Sequence, residues 1–249
     1  MITLETHTID GRSIAMIAFD RPDKRNALTP EMLVELNTVA KASSADHDAI
    51  VLTGKGKAFC AGFDLALCQT TPDGTIMRKL LTGLSAACNT LRLSERPVVI
   101  AAQGAAIAGG CAILGGADIV VSNTNAKLGY PVTKIGVSPA ISAPYMTQSV
   151  TQGIARERLI LPDLFSGTTA HQLGLVHELT EEPDDVQPRA LEIAAKLAIK
   201  PPHAYAATKG LITRLEGDER ETRIKQGLET SLGLTGKQEE QRLLGALTF

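Results

Sequence analysis

Short apolar segments alternate with amphipathic ones along much of this chain of 249 residues. Two apolar-rich segments, Ile2 to His7 and Arg12 to Asp20, flank Asp10-Gly11, a dipeptide that favours a tight hairpin turn. A helix is predicted from Thr29-Pro30 to about Lys41, because threonine is a favourable N-cap, proline suits the first helical turn and apolar residues follow at helical spacing. The chain therefore begins with a strand hairpin and a helix.

A similar order of elements follows. Ala49 to Thr53 is predicted to be a short buried strand that ends in a loop of glycines and lysines at 54–57, and Pro97 to Ala101 is a further strand. Between them, Gln69 to Gly74 is predicted to be a surface loop, and Leu80 to Leu93 a helix. This alternation indicates an α/β fold.

The segment from Ala102 to Val121 is apolar and contains glycines at 104, 109, 110, 115 and 116. We expect the strand to break at Gly104 and the chain to re-enter as a helix near Gly109, which leaves the first N–H groups of that helix unpaired. Those donors and the helix dipole favour a negatively charged group, and the missing Cβ atoms at Gly109 and Gly110 let a ligand approach the backbone.

A membrane span is the alternative for residues 98–117, which carry no charge over a length that could cross a bilayer. Gln103, the glycines, the following Asp118 and the absence of a basic flank favour a buried core segment instead.

The later segments are also predicted to alternate between short strands and helices. The sequence predicts a short strand and turn at 127–131, helices from Pro139 and from Ile154 to Leu161, a capped helix from Ser166 to Gly174, and a strand over Leu175–Leu179. From Val186 onward only helical periodicity remains. We therefore predict an α/β core of strand–strand–helix repeats over residues 1–185 and a helical region over residues 186–249.

Charge and cysteine content narrow the classes of function. The net charge is −2 and Lys and Arg are scattered, so neither nucleic acid nor a membrane surface is an expected partner. The four cysteines lack the spacing of a metal site, and the N-terminus has no signal-peptide pattern. We expect a cytoplasmic protein with reduced thiols and no bound metal.

Five motifs together resemble the crotonase (enoyl-CoA hydratase/isomerase) superfamily, in which they occur in this order and at similar spacing. They are Arg21-Pro-Asp-Lys-Arg-Asn-Ala-Leu-Thr-Pro-Glu-Met32, Lys57-Ala-Phe-Cys-Ala-Gly-Phe-Asp-Leu65, Gln103-Gly-Ala-Ala-Ile-Ala-Gly-Gly-Cys111, Ala117-Asp-Ile119 and Leu173-Gly-Leu-Val176. The resemblance implies a crotonase-like spiral of ββα repeats that holds an acyl-CoA site, with residues 186–249 as a covering and trimerisation region. It also implies a homotrimer or a dimer of trimers, and coenzyme A as part of the substrate with no separate cofactor.

In that family two backbone N–H groups form an oxyanion hole, which polarises the thioester carbonyl and stabilises the enolate formed from it. By motif, these catalytic donors are Phe63 and Gly109, and each is expected to contribute about 3–4 kcal/mol to the transition state. The resemblance implies further substrate-binding residues, which are Lys24, Ala27, Ala61, Asp64, Leu65, Gly110, Pro131, Val132 and Ser138. Lys24 and Lys57 are candidates for contact with the coenzyme phosphates, and solvated loop lysines are the alternative.

The chain departs from the family at the acid–base positions. Hydratases carry one glutamate where Ala112 stands and a second where Val132 stands, and some relatives place an aspartate near Ala140. Adding water to an enoyl thioester needs such groups, each of which supplies roughly 10²–10⁴-fold in rate. The sequence therefore predicts a protein that is not a standard hydratase.

Tyr130, Tyr145 and Cys111 are candidates for a polar pocket beside the acyl group. Either tyrosine could donate a proton or hold a substrate carboxylate, and core packing is the alternative. Cys111 stands near the predicted helix N-terminus, where a thiol pKa can be lowered, and packing is again the alternative. A hydrolase that uses Ser138 is disfavoured, since Gly136-Val-Ser138-Pro139 lacks the second glycine of a nucleophile elbow.

Two classes of function remain open at this point. One is an enzyme that stabilises an enolate. Decarboxylation is the foremost reaction because loss of CO₂ forms the enolate without a base, and a hydratase or isomerase with an unplaced base is the rival. The other is a non-catalytic acyl-CoA-binding or assembly partner.

Overall fold

The computed structural model describes residues 1–71, 73–217 and 219–248. The strands are β1 (Ile2–Ile9), β2 (Arg12–Phe19), β3 (Ala49–Gly54), β4 (Val98–Ala102), β5 (Ala105–Ile107), β6 (Ile119–Asn123), β7 (Lys127–Gly129), β8 (Phe165–Ser166) and β9 (Glu178–Thr180). The helices are α1 (Pro30–Asp46), α2 (Leu65–Gln69), α3 (Thr75–Arg92), α4 (Gly109–Ile113), α5 (Ala143–Ser149), α6 (Gln152–Ile160), α7 (Gly167–Leu173), α8 (Val186–Ala198), α9 (Pro202–Leu215), α10 (Arg220–Leu232) and α11 (Gln238–Gly245).

The larger sheet has the strand order β1-β2-β3-β4-β6-β9. β1 and β2 pair in antiparallel register, with Ile9 opposite Arg12, and the later neighbours pair in parallel. Asp10 and Gly11 have φ values of 50° and 73°, the left-handed conformation that a two-residue hairpin turn requires. The predicted hairpin is therefore confirmed.

β5, β7 and β8 form a second, smaller sheet, which the chain enters after β4 of the larger sheet. Gly104 separates β4 from β5 and has φ 66°, and a Cβ at this position would lie 2.0 Å from the Lys57 carbonyl oxygen. Only glycine fits at this crossing. The predicted break at Gly104 and the predicted helix at Gly109 are both present.

The central strands β2, β3, β4 and β6 are buried on both faces, as is usual for a mainly parallel sheet. Ile50 and Leu52 point into a core completed by α1 and α3, whereas Ala49 and Val51 point to the opposite face and pack against α8. The helical periodicity predicted after Val186 is present as α8 to α11. The division of the chain at residue 185 stays a prediction.

Several predicted boundaries are wrong. The strand expected over Leu175–Leu179 is Glu178–Thr180, because Gly174 ends α7 in a left-handed turn and the Leu175 and Val176 N–H groups still donate to Ala170. The helix expected from Pro139 is a 3₁₀ turn over Ala140–Ser142 followed by α5.

The helix expected from Leu80 begins earlier, at Thr75, and Gln69 belongs to α2. Pro72, within the predicted loop, lies outside the described residues. No helix among the described residues has the length and apolar character of a membrane span. The segment from Val98 to Ala117 instead comprises two strands and two short helical turns.

Candidate active site

The backbone N–H groups of Phe63 and Gly109 are the first candidates for a site. Phe63 forms an isolated parallel bridge with Leu28, in which Leu28 N–H donates to the Gly62 carbonyl at 2.7 Å and Asp64 N–H donates to the Leu28 carbonyl at 2.9 Å. These bonds leave the Phe63 N–H unused. Gly109 is the first residue of α4, so its N–H has no partner one turn earlier. Among the described residues, neither N–H group has a protein acceptor.

The segments that carry the two donors contact each other. A Cβ at Gly62 would lie 3.8 Å from the Gly109 nitrogen, and a Cβ at Gly109 would lie 3.1 Å from Cε1 of Phe63 and 3.3 Å from Cδ1 of Leu28. The Phe63 ring therefore packs directly on the Gly109 backbone. A side chain at position 109 would displace the ring and the peptide group that precedes it.

The peptide before Gly109 is held in an unusual conformation. Ala108 has φ 53° and ψ −112°, a region that residues with a side chain rarely adopt. Its N–H donates to the Gly129 carbonyl at 2.8 Å, which fixes the residue against the end of β7. The Ala108–Gly109 peptide is thus oriented by a strained residue and a hydrogen bond.

The absence of a side chain at Gly110 has a structural explanation that needs no ligand. A Cβ there would lie 2.4 Å from the Cys60 carbonyl oxygen and 2.8 Å from the Cys60 Cβ. Its missing side chain thus makes room for the protein's own backbone. The predicted approach of a ligand at Gly110 stays a prediction.

Two residues that sequence reasoning missed, Asn26 and Arg21, organise the loop before α1. Asn26 is fully buried at φ 56°, and its side-chain amide donates to the Lys55 and Ala58 carbonyls at 3.0 and 2.8 Å. Arg21 donates to a carboxylate oxygen of Asp64 at 2.7 Å. Two features of the sequence could have indicated these roles. Asparagine tolerates the left-handed backbone conformation, and Arg21 and Asp64 are oppositely charged residues in two of the motifs. Asp64 is therefore held by an ion pair beside Phe63.

The remaining predicted binding residues lie around this centre. Lys24 and Lys57 are exposed, whereas Ala27, Ala61 and Leu65 are partly buried. Pro131 and Val132 begin a 3₁₀ turn, Pro131–Ile135, and Val132 packs against the main core. The Ser138 carbonyl accepts a hydrogen bond from the Ser231 hydroxyl at 3.0 Å. Their contact with a substrate stays a prediction.

Tyr130, Tyr145 and Cys111 are brought together at a cavity of about 290 Å³. Ala112, Arg92 and His177 also line it, whereas Phe63 and Gly109 do not. Burial raises the pKa of the Cys111 thiol to about 11, so the lowered pKa considered for this residue is wrong. The physical reason is that α4 is short and the thiol is enclosed.

The two tyrosines are also poor acids in this setting. Burial raises the pKa of Tyr130 well above its ordinary value and raises that of Tyr145 as well. The Tyr145 hydroxyl is buried with no hydrogen-bond partner among the described residues. Both side chains are therefore held neutral, as residues packed in a core are.

Comparison with known proteins identifies the family. Residues 10–244 match the family model described as enoyl-CoA hydratase/isomerase. The chain belongs to this family. It is 30% identical over 207 residues to the short-chain-enoyl-CoA hydratase of Clostridium acetobutylicum, with 81% of this chain and 78% of that protein covered.

Two further similarities extend over nearly the whole chain. The chain is 26% identical over 241 residues to a Mycobacterium tuberculosis protein named (7aS)-7a-methyl-1,5-dioxo-2,3,5,6,7,7a-hexahydro-1H-indene-carboxyl-CoA hydrolase, with 95% and 96% of the two chains covered. It is also similar to the crystal structure of an enoyl-CoA hydratase/isomerase from Xanthobacter autotrophicus Py2, with a TM-score of 0.85, 26% identity and 97% and 91% of the chains covered. The predicted family and its α/β fold are confirmed.

Proposed function

We propose that this protein is an acyl-CoA enzyme that stabilises the enolate of a thioester with the backbone N–H groups of Phe63 and Gly109. The observation that carries the proposal is the placement of two N–H groups, without protein acceptors among the described residues, in segments that contact each other. Such preorganised donors act most strongly where negative charge develops on the carbonyl oxygen. The names of family members support a coenzyme A thioester as the substrate class.

Hydration by the usual route does not fit the residues at the acid–base positions. Ala112 and Val132 can neither orient water nor transfer a proton. Asp64, the carboxylate nearest to Phe63 in sequence, is engaged by Arg21 at 2.7 Å. The proposed enzyme therefore forms its enolate in another way.

Decarboxylation is a second candidate, favoured by the apolar residues at positions 112 and 132. The bond between the α-carbon and a substrate carboxylate breaks, and its electron pair forms the carbon–carbon double bond of the enolate. The thioester oxygen becomes the oxyanion at Phe63 and Gly109, and CO₂ leaves. One proton must then reach the α-carbon.

The remaining elements of the proposal come from the family motifs. The coenzyme and acyl parts contact Lys24, Ala27, Ala61, Asp64, Leu65, Gly110, Pro131, Val132 and Ser138. The exposure of Lys24 and Lys57 supports contact with phosphate groups. The protein acts as a cytoplasmic homotrimer or dimer of trimers, which light scattering of the purified protein tests.

The first test is a substrate panel with binding measured in parallel. Crotonyl-CoA hydration is followed by loss of the conjugated thioester absorbance, decarboxylation by CO₂ release from malonyl- and glutaconyl-type thioesters, and binding by calorimetry with acetyl-CoA. We expect binding, with crotonyl-CoA hydration reduced by about 10²-fold or more relative to a hydratase that has both glutamates. Hydration at the rate of such a hydratase contradicts the proposal, and binding without turnover of any thioester supports a non-catalytic partner instead.

A further inference from the structure

β1 (Ile2–Ile9) is an edge strand of the larger sheet, and one of its sides has no neighbouring strand. It pairs with β2 over all eight residues without a bulge. Its sequence contains neither proline nor lysine, which often protect such an edge against a further strand. The opposite edge strand, β9, has only three residues. β1 is therefore the long and unprotected edge of this sheet.

The hydrogen bonds of β2 show which residues of β1 face outward. The carbonyls of Ser13 and Phe19 accept hydrogen bonds from the N–H groups of Asp48 and Lys55, on the β3 side. Since backbone groups alternate between the two sides of a strand, the even-numbered residues of β2 bond to β1, and they are opposite the odd-numbered residues of β1. The even-numbered residues of β1 therefore direct their N–H and C=O groups away from the sheet.

Three residues, Leu4, Thr6 and Thr8, present free backbone groups along this edge. The N–H of Ile2, which also faces outward, donates to a carboxylate oxygen of Glu35 at 2.9 Å. Within the described parts of the chain, the outward groups of the other three residues have no protein partner. All three residues are exposed. Free groups at every second residue are what an added strand pairs with.

These groups fit a second copy of the same strand. In an antiparallel pair with a two-fold axis at Thr6, Thr6 pairs with Thr6 of the second copy, and Leu4 pairs with Thr8. All three pairs are then of the hydrogen-bonded kind, in which the two residues exchange both N–H···O=C bonds. A change of register by two residues in either direction leaves only two complete pairs among these residues. The backbone thus favours the register centred on Thr6.

The side chains of Glu5 and His7 favour the same register. In this arrangement Glu5 lies opposite His7 of the second copy, and the two-fold axis repeats the pair. Directly opposite residues have Cβ atoms about 4.5–5.5 Å apart, so a ring N–H can donate to the carboxylate. The shifted registers place Glu5 opposite Glu5, or His7 opposite His7. Within one chain, Glu5 Oε2 is 4.0 Å from His7 Nε2, which is too long for a hydrogen bond.

We propose that β1 binds β1 of a second copy of this chain in antiparallel register about Thr6, which joins the larger sheets of the two copies into one. The exposed apolar side chain of Leu4 then packs beside Thr8 of the second copy. A two-fold contact gives an assembly with an even number of chains. With the trimer proposed above it gives the dimer of trimers, and it does not depend on the reaction catalysed.

The test measures molar mass by size-exclusion chromatography with light scattering over a dilution series, for the wild type, Thr6→Pro and Thr6→Val. Proline is tolerated on an edge strand where its missing N–H would face outward, so Thr6→Pro keeps every bond between β1 and β2. Valine removes the same hydroxyl, with its 3.2 Å contact to His47 Nε2, and keeps the N–H. We expect an even number of chains for the wild type and Thr6→Val, and half that number for Thr6→Pro with a cooperative Tm.

A charge reversal provides a second arm that leaves the backbone unchanged. His7→Glu places two carboxylates opposite each other in both pairs, and the double variant Glu5→Lys/His7→Glu restores opposite charges. We expect His7→Glu to raise the Kd of the contact by about tenfold or more, and the double variant to return it to within about threefold of the wild type. These two variants decide the result if Thr6→Pro does not fold.

The outcomes separate this contact from the proposed trimer. A wild type with an odd number of chains overturns the contact, and so does Thr6→Pro with the mass of the wild type. A Thr6→Pro protein of three chains supports both the contact and the trimer, whereas one of a single chain supports the contact and contradicts the trimer. An unchanged Kd in His7→Glu overturns the proposed register.

Discussion

Gly109→Ala is the substitution that tests the candidate oxyanion hole most directly. The new Cβ would lie 3.1 Å from Cε1 and 3.3 Å from Cδ1 of the Phe63 ring, and 3.3 Å from Cδ1 of Leu28. Carbon atoms in contact prefer separations of about 3.5–4.0 Å, so the ring and the α4 backbone must separate by a few tenths of an ångström. The shift acts on both donors because Phe63 carries one N–H group and residue 109 the other.

The expected magnitude follows from the geometry that an oxyanion requires. Removing one donor costs about 10²–10³-fold in kcat, and a displacement of about 1 Å costs on the order of 10²-fold. A shift of a few tenths of an ångström should therefore reduce kcat by roughly tenfold. Acetyl-CoA binding should change by less than about twofold, because the donors act mainly on charge that develops in the transition state.

The assay is α-hydrogen exchange or CO₂ release, whichever reaction the wild type catalyses, with calorimetry alongside. Gly153→Ala is the matched control, since a Cβ at Gly153 meets no atom of the described residues within 4 Å. A Gly109→Ala enzyme with the rate of the wild type would refute the reasoning. An equal loss of rate and binding would indicate that residue 109 contributes equally to the ground state and the transition state, which contradicts an oxyanion hole.

Three further predictions concern the fold and its pH dependence. Gly104→Ala should prevent soluble expression, because φ is 66° and the Cβ would lie 2.0 Å from the Lys57 carbonyl oxygen; a Tm close to that of the wild type contradicts this. Asn26→Ala should lower the free energy of unfolding by about 1–3 kcal/mol, measured in urea, since it leaves buried backbone carbonyls without a donor. Burial lowers the pKa of His177, so below about pH 6.5 the unfolded state binds more protons and stability should fall as pH falls. His177→Gln should reduce that decline in urea midpoints between neutral and mildly acid pH, and an unchanged decline contradicts the assignment.

Local chemistry made the first hairpin and the glycine crossing predictable. Asp10-Gly11 specifies its own turn, and the break at Gly104 depends on one residue without a side chain. The family motifs predicted Phe63 and Gly109 as the donors, and the structure places their segments in contact.

Features that depend on tertiary contact were not predictable in the same way. The thiol of Cys111 has a raised pKa because other elements enclose it, and its position near a helix start gave the opposite expectation. Glu240 looks like an ordinary surface glutamate in sequence, since Glu239 beside it has the same local neighbours and is exposed. Its burial follows from the packing of α11 against α2 and the turn before Gly136, contacts that join residues far apart in the chain.

The position of α8 has a consequence for how the protein is made. One face of the larger sheet, which includes Val51, Val99 and Val121, packs against this helix, and α8 follows every strand of that sheet in the chain. During synthesis from the N-terminus, all six strands leave the ribosome before the helix that covers them. A nascent chain that pauses before Val186 therefore exposes an aliphatic surface of the kind that promotes aggregation and that chaperones bind.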